Sequence, residues 1–584
     1  MEKDEPVAVT TGAMVDETAP GEKLKQLRDL KNHHHWDPNM PEDVIEELDE
    51  ALHTSDKHTQ EVVADELLEN SPYPEVRSAV PNIDEGGSVN TIRAWTIGLL
   101  FATIGSALNM LFSMRQPYII IPSYIAQVVA YPVGKAWEAW MPNYTFSFFG
   151  YKAELNPGVF TKKEHTIAVI MANATFGGGA AYATDVLLAQ RAFYVQNFGW
   201  GFEILMCIST QMLGFGMAGF FTRFLVQPSA MIWPSTLINT SLFAALHDRT
   251  KPDPKNVAGW RIGKYQMFLY TMIGSFCWYW FPGYIAPFLS VFAWVTWIKP
   301  QNVVINQLFG GVTGLSLIPM TFDWTQISGF NFSPLIAPWY AISNTLIGMF
   351  LWFWIVTTAI QYSNLFYGQH LPISGSNSYD NTGKVYNVSK ILTPEFTFDN
   401  AKYSNYSPLF LPTTFMMSYG LSFASIVAVL VQTGLFYGTD IWDRFRHVGK
   451  EEDIHGRLMS RYATVPIWWY LGVFLAMVAI GFGVILGYPT HMSWWSFIIA
   501  LLISAVWFVP IGIVKAATNI DIGLNVITEF IIGYMQPGKP MAMMLFKTYG
   551  YITMYQGMYF TQDLKIGQSR RCLLMSICYT NLFH

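Results

Sequence analysis

Long, continuous apolar runs dominate the chain after residue 90. A helix needs about 20 mostly apolar residues to cross the hydrocarbon core of a bilayer. Runs of about this length lie near 92–112, 166–184, 200–224, 266–297, 335–360, 411–436, 467–488, 496–518 and 541–560. Because these runs are continuous and do not alternate with polar residues, they predict transmembrane α-helices rather than the strands of a barrel.

A second set of apolar stretches is short or interrupted by proline and glycine. They lie near 117–136, 226–246, 303–320 and 519–536, and the run at 266–297 is itself broken around Pro282, Gly283 and Pro287. Unpaired backbone groups are costly in lipid, so such segments should line a protein cavity. They are either re-entrant or broken helices, as in transporters, or ordinary proline-kinked spans. We expect an all-α, polytopic helix bundle with about ten to thirteen membrane segments.

Composition supports a membrane protein. Only 13% of the 584 residues are charged and 52% are hydrophobic, whereas soluble domains have about 25% charged residues. Tryptophan and tyrosine also crowd the ends of the apolar runs, as at Trp468, Trp469, Trp494 and Trp495, a pattern typical of the membrane interface. The four cysteines show no metal-ligand spacing with histidine, so we expect no metal site and no cofactor.

The first 90 residues differ sharply from the rest. They hold 22 of the 41 acidic residues but only 7 of the 35 Lys and Arg, which gives this head a net charge of −15 and the remainder +9. An acidic, polar segment with few aromatic residues predicts a disordered tail, here on the cytoplasmic side. No basic stretch interleaved with aromatic residues suggests nucleic-acid binding. We divide the chain into this tail at 1–90, a transmembrane domain at 91–568 and an unusual end at 569–584.

Loop charges predict a partial topology. The loops at 247–264 and 437–466 are rich in Lys and Arg and should be cytoplasmic. The loop at 361–410 is polar and contains the sequon Asn387-Val388-Ser389, which is usable only on the other side. A single span at 411–436 separates the loop at 361–410 from the loop at 437–466, so placing these two loops on opposite sides of the membrane is consistent. The loop charges do not determine the membrane topology of residues 113–246.

The polar run at 156–165, Asn-Pro-Gly-Val-Phe-Thr-Lys-Lys-Glu-His, immediately precedes an apolar helix. Its first three residues predict a turn, so Glu164 and His165 should lie in the first helical turn. A carboxylate is favoured there by the helix dipole, and histidine titrates near neutral pH. These two residues could therefore couple transport to protons. Alternatively, Glu164 simply caps the helix while Lys162 and Lys163 meet lipid phosphates.

Two further segments carry unusual residues. Gly177, Gly178 and Gly179 either allow close helix packing or let a substrate pass the backbone. Farther along, Asn519, Asp521, Asn525 and Glu529 recur at near-helical spacing and should make one helix face polar, with Lys515 in pairing range. A buried ion pair and a substrate or proton site are both consistent with this pattern.

Two sequence motifs resemble those of a known family. Residues 71–80, Ser-Pro-Tyr-Pro-Glu-Val-Arg-Ser-Ala-Val, and the run at 156–165 are similar to signatures of the oligopeptide transporter family, in its peptide-transporting branch of fungi and plants. Val159 stands where the family usually has proline. The resemblance implies a proton-coupled symporter, not an enzyme, that imports peptides of a few residues, including glutathione-like ones, across the plasma membrane.

The resemblance also suggests roles for particular residues. It implies proton coupling by Glu164 and His165. It implies a substrate path past Asn156, the three glycines at 177–179, and Asn519, Asp521, Asn525 and Glu529. The partners would be small peptides, protons and membrane lipids.

Two alternatives remain at this point. The sister branch of the family carries metal chelates of the nicotianamine or siderophore type. In addition, the composition changes after residue 568, where the family would continue into a Lys-Ile-Pro-Pro-Arg motif and further spans. We therefore expect a truncated or frame-shifted C-terminus, and the chain could be a fragment that does not transport. A membrane enzyme is disfavoured because the histidines after residue 100 are widely spread.

Overall fold

A computed structural model shows how the chain folds. After residue 88 it describes residues 89–114, 120–148, 151–176, 182–248, 259–329, 333, 335–446, 454–459 and 465–570; before that, it describes 37–53 and 70–81 with residues 25, 27, 28, 30, 31 and 34. The chain divides into two compact units, residues 1–77 and 78–584. The glycines at 177–179 and the unusual end at 571–584 lie outside the described residues.

The first unit is ordered where it is described. Helix α1, Glu42–His53, begins with acidic residues and ends with a histidine, as the helix dipole favours, and it buries Val44, Leu48 and Ala51. The buried Tyr73 hydroxyl lies 2.9 Å from Nδ1 of His34 and donates to the Asp37 carboxylate. Part of the head predicted to be disordered is thus folded. The boundaries predicted for the tail and for the transmembrane domain stay predictions.

The second unit is mostly helical within the described residues. A short helix, α2 (Pro74–Ala79), straddles the boundary between the units. The elements that follow are α3 (Ile92–Ser113), α4 (Ser123–Trp140), β1 (Thr145–Phe148), β2 (Tyr151–Glu154), α5 (Lys162–Asn173), α6 (Ala183–Ala192), α7 (Trp200–Leu225), α8 (Pro234–His247), α9 (Lys264–Trp280), α10 (Val295–Ile298), α11 (Val303–Phe309), α12 (Trp324–Ser328), α13 (Trp339–Gly348), α14 (Thr357–Tyr362), α15 (Asn400–Tyr406), α16 (Thr413–Gln432), α17 (Gly438–Arg446), α18 (Ile454–Met459), α19 (Ile467–Gly487), α20 (Trp494–Thr518), α21 (Asn525–Met535), α22 (Pro540–Lys547) and α23 (Thr553–Arg570).

Six helices in the described part are long and apolar enough to cross a membrane. They are α3, α7, Trp339–Tyr362 (α13 continued through a π-helical turn into α14), Thr413–Tyr437 (α16 with the π turn after it), α19 and α20. Each coincides with one of the predicted apolar runs. Strands β1 and β2 form an antiparallel hairpin that pairs Thr145 with Glu154. The prediction of an all-α, polytopic membrane protein is confirmed.

Several other segments are short or broken. Helix α5 has 12 residues, about 18 Å at 1.5 Å per residue, against a hydrocarbon core of about 30 Å. A single span at 166–184 is therefore wrong, because α5 begins at Lys162 and ends at Asn173. The break predicted near Pro282 and Pro287 is confirmed, since α9 gives way there to a π turn and a 3-10 turn. A second break separates α20 from α21.

The core forms where α7 packs against α19 and α23. Gly214 on α7 faces the backbone of α23: a methyl group there would lie 2.5 Å from the Thr553 carbonyl oxygen and 2.8 Å from the Gly557 nitrogen. A methyl group on Gly557 would in turn lie 2.8 Å from the Gly214 carbonyl oxygen. Small residues let membrane helices approach to backbone contact and so gain dispersion energy that lipid cannot replace.

We therefore expect the Gly214→Ala variant to be destabilised by about 1–3 kcal/mol, because the backbone of α23 has to move away. Gly483→Ala on α19 is the matched control, since a methyl group at Gly483 meets nothing within 4 Å. Thermal unfolding of the purified variants in detergent measures both. Equal melting temperatures for the two variants would contradict the proposed close packing.

Candidate functional site

The Asn-Pro-Gly turn is built as the sequence predicts. The side-chain oxygen of Asn156 accepts a hydrogen bond from the Gly158 backbone at 3.3 Å. The amide nitrogen of Asn156 donates to the carbonyls of Glu138 and Met141 at 3.1 and 2.8 Å. Gly158 has φ +98°, where a side chain would be strained. The contacts of Asn156 are those of a turn-forming residue, and its place on a substrate path stays a prediction.

A buried ion pair fixes the entry to α5. Nη2 of Arg93 lies 2.5 Å from Oε2 of Glu164, and both side chains are almost completely buried. Glu164 also accepts from the Thr91 hydroxyl at 2.6 Å and from the Thr161 backbone at 3.0 Å, which completes a capping box at the start of α5. Arg93 donates further to the Gly158 and Val159 carbonyls at 2.8 and 3.2 Å.

Sequence reasoning missed Arg93. The available signal was an arginine in the first turn of an otherwise apolar span, which is costly unless the charge is paired. The structure shows that the partner is Glu164, 71 residues away. The predicted capping role of Glu164 is thus present, and a role in proton coupling stays a prediction.

His165 lies next to Glu164 but faces different partners. Its Nδ1 is 3.0 Å from Nε2 of His247 on α8, and its Nε2 is 2.8 Å from the backbone oxygen of Gln127 on α4. The imidazole is completely buried. The rings of Tyr131, Phe160 and Phe243 surround it, with centroids 4.8 to 6.2 Å away.

The partners of this histidine pair restrict where protons reside. A carbonyl can only accept, so Nε2 of His165 carries a hydrogen. In neutral His165 the other nitrogen, Nδ1, is then an acceptor, and Nε2 of His247 must donate to it. An added proton can bind Nδ1 of His247, which leaves the central bond unchanged, or Nδ1 of His165, which reverses the bond once His247 moves its hydrogen from Nε2 to Nδ1. A second added proton would place an N–H group on both sides of the central hydrogen bond. The pair therefore accommodates one added proton.

A cavity with several polar side chains in its lining opens where the ends of several helices meet. Its empty volume, including the open mouth, is about 690 Å³. It is lined by residues from α4, α5, α8, α20, the segment after α20, and α23: Pro122, Ser123, Tyr124, Asn173, Phe176, Ser235, Asn239, Lys515, Asn519, Asp521, Tyr559, Gln562 and Asp563. Polar side chains thus converge within a bundle whose outer surface is apolar.

Three charged side chains face this cavity. Nζ of Lys515 lies 2.6 Å from Asp521 and 4.3 Å from the centre of the Tyr559 ring. The Asp563 carboxylate accepts a hydrogen bond from Asn173 at 2.8 Å. Lys515 and Asp563 are buried, whereas the Asp521 side chain is 36% exposed. The cavity therefore offers one basic and two acidic side chains.

The structure brings only some of the predicted path residues together. Asn519 and Asp521 line the cavity, but Asn525 and Glu529 are not among its lining residues. Glu529 instead pairs with Lys547 at 3.3 Å. The predicted common helix face is wrong, because α20 ends at Thr518 and Asn519 adopts a left-handed conformation with φ +59°. Sequence reasoning also missed Asp563. The available indication was that an aspartate in the last apolar region is costly in lipid unless it has a function or a partner.

Gln127 connects the histidine pair to the cavity. Its backbone oxygen accepts from His165, and its side-chain nitrogen donates to the Asn239 carbonyl at 2.9 Å. Asn239 lines the cavity. Oε1 of Gln127 is buried and has no hydrogen-bond partner among the described residues. Only one residue therefore separates the histidine pair from the cavity wall.

Comparison with known proteins identifies the family. The family profile described as OPT oligopeptide transporter protein matches residues 89–572, most of the chain. The chain belongs to the OPT oligopeptide transporter family. Its members are transporters, so the expected absence of enzyme activity agrees with the family. With its six long apolar helices, the chain is a multi-pass integral membrane protein.

Similar proteins come from yeasts. The chain is 47% identical to the sexual differentiation process protein isp4 of Schizosaccharomyces pombe, over 94% of this chain and 69% of that protein. It is 41% identical to glutathione transporter 1 of the same yeast, over 88% of this chain and 61% of the relative. It is also 41% identical to oligopeptide transporter 1 of Saccharomyces cerevisiae, over 86% and 63%. The chain thus spans about two thirds of the length of these relatives, and no solved structure matches it.

We expect Glu164→Gln to destabilise the protein by about 3–5 kcal/mol, because Arg93 would keep a buried charge without its partner. The control is Glu203→Gln, which breaks the half-exposed pair between Glu203 and Arg191 and should cost less than about 1 kcal/mol. Thermal unfolding in detergent compares the two. Similar losses of stability in both variants would show that the buried pair contributes no more to stability than the half-exposed one.

Proposed function

We propose that this chain imports small peptides across the plasma membrane by alternating access. The observation that carries the proposal is the cavity, which sets Lys515 against Asp521 and Asp563 inside an apolar bundle. Charged groups within membrane segments mark substrate or ion pathways, and the break between α20 and α21 resembles the discontinuous helices of transporter sites. Glutathione and oligopeptides, which name two of the relatives, carry both a cationic and an anionic end.

Protons are the proposed driving force. We assign the proton to the pair of His165 and His247, since its central hydrogen bond accommodates one added proton. Glu164 is less suited, because protonating it would leave the buried charge of Arg93 without its partner. Through Gln127, a charge on the histidine pair acts one residue from the cavity wall. Proton binding and substrate binding could thus influence each other electrostatically.

Metal chelates fit the cavity less well. Such chelates are rich in carboxylates, whereas the cavity offers a single basic side chain, Lys515, beside the acidic side chains of Asp521 and Asp563. Within the described residues, no cluster of three or more His, Cys, Asp or Glu could take over the metal. Peptide import is therefore the stronger proposal.

The direct test is uptake of a labelled tetrapeptide in cells that lack their own peptide carriers. We expect the 584-residue chain at the cell surface to take up peptide faster at acid than at neutral pH. Uptake of a ferric chelate instead of peptide would favour the metal-chelate function. No uptake of either compound by chain that reaches the surface would mean that this length of chain does not transport.

A second prediction concerns the histidine pair. His165→Gln and His247→Gln should make the ratio of acid to neutral uptake fall to about one, because glutamine does not titrate. Exchange of labelled for unlabelled peptide at equal pH on both sides should persist, since exchange needs no net proton movement. The exposed His370→Gln is the control and should keep the pH ratio of the unaltered chain. A retained pH ratio in His165→Gln would exclude the pair as the coupling site.

A further inference from the structure

We propose that the cavity recognises a peptide by its two ends: Lys515 binds the terminal carboxylate and Asp563 binds the terminal ammonium group. This inference rests on the proposed function of peptide import and adds a basis for substrate selection. It follows from the different environments of the three charged groups in the cavity.

Lys515 is a buried cation fixed by its surroundings, and its anionic partner can be replaced by another anion. Its side chain is 4% exposed, and the rings of Tyr559 and Tyr555 lie 4.3 and 5.2 Å from the ammonium group. Asp521 pairs with it at 2.6 Å but is 36% exposed and lies in the non-helical segment between α20 and α21. A buried ammonium group needs an anion. Asp521 can serve in the empty cavity and give way to a substrate carboxylate without leaving the cation unpaired.

Asp563 is a buried carboxyl group that lacks a cationic partner in the described part of the chain, and an ammonium group beside it would stabilise its ionised form. Its carboxylate is buried on α23, and one oxygen accepts a hydrogen bond from Asn173. No salt bridge within the described residues involves it. A carboxylate accepts through about four lone-pair sites, so the single bond from Asn173 leaves acceptor capacity for an ammonium group. Burial makes such a pairing stronger than it would be in water.

The remaining polar lining suits the peptide backbone. Asn173, Asn239, Asn519 and Gln562 place side-chain amides in the cavity. The oxygen of Asn173 is buried and has no hydrogen-bond partner in the described part of the protein. Amides can donate to and accept from peptide groups of any sequence. The cavity thus contains groups for the two ends and the backbone, which every short peptide has, and selection by side chains is not required.

The test compares substrates with one end blocked. Unlabelled tetrapeptide competes with the labelled peptide for uptake in three forms: free, acetylated at the N-terminus, and amidated at the C-terminus. With the unaltered chain, each block should weaken competition by about tenfold or more, the size expected for loss of a charge-assisted hydrogen bond.

Variants then assign each end to its residue. In Lys515→Gln, the amidated and the free peptide should compete equally, while the acetylation penalty persists. In Asp563→Asn, the acetylated and the free peptide should compete equally, while the amidation penalty persists. This crossed pattern isolates each pairing, because a general structural defect would weaken all three forms alike. If Lys515→Gln does not reach the membrane, Lys515→Arg replaces it and should retain the amidation penalty.

Lys547→Gln is the matched control. Lys547 is also a partly buried lysine paired with a carboxylate, Glu529, but it does not line the cavity. Both penalties should be unchanged in this variant. A loss of the amidation penalty in Lys547→Gln as well as in Lys515→Gln would overturn the assignment to Lys515.

The outcomes separate this inference from peptide import itself. If the chain takes up peptide but blocked and free forms compete equally, the recognition of ends is wrong and import stands. If both penalties exist but survive in both variants, other residues recognise the ends and the assignment is wrong. If no uptake occurs, import fails, and the same three peptides are compared by direct binding to the purified protein, where equal affinities would overturn the inference.

Discussion

The buried ion pair between Arg93 and Glu164 sets the position of α5, on which the rest of the site depends. Lipid offers no partner for a charge, so the two side chains can be buried only together. Their bonds join the start of α3, the turn at Gly158 and the start of α5. Because α5 is a rigid helix of 12 residues, fixing Glu164 also fixes His165 beside it and Asn173 at the far end. One pair therefore positions both the histidine pair and one side of the cavity.

Short helices are what make the cavity possible. A helix that ends inside the bundle leaves up to four backbone carbonyls or N–H groups without helical partners, and these cannot face lipid. Helices α5 and α8 and the break after α20 place such ends around the same space. The polar side chains that follow these ends, Asn173 and Asn519 among them, therefore converge there. The same requirement for internal hydrogen bonding that forbids broken helices in lipid concentrates polar chemistry in the protein interior.

The charges of the cavity and of the histidine pair form one electrostatic system. In the proposed recognition of peptide ends, Asp521 holds the place that the substrate carboxylate takes, so binding exchanges one partner of Lys515 for another and never leaves the buried cation unpaired. The histidine pair lies behind Gln127, where aromatic rings surround the buried His165 and a single proton changes the local charge. A low effective dielectric lets that charge be felt at the cavity wall. This arrangement is the physical basis of the proposed coupling between proton and peptide.

The sequence by itself determined the class of the protein, its long spans and its family. These follow from local properties: apolar length, proline breaks, and two motifs that resemble family signatures. It also singled out His165 and the polar residues Asn519, Asp521, Asn525 and Glu529, because polar groups in apolar runs are conspicuous. Only the tertiary structure decided their partners. Arg93 and Glu164 are 71 residues apart, His165 and His247 are 82 apart, and Asn173 and Asp563 are 390 apart. Helical spacing could not anticipate the end of α20 at Thr518, because the left-handed Asn519 allows the chain to leave the helix and bring Asp521 back to Lys515.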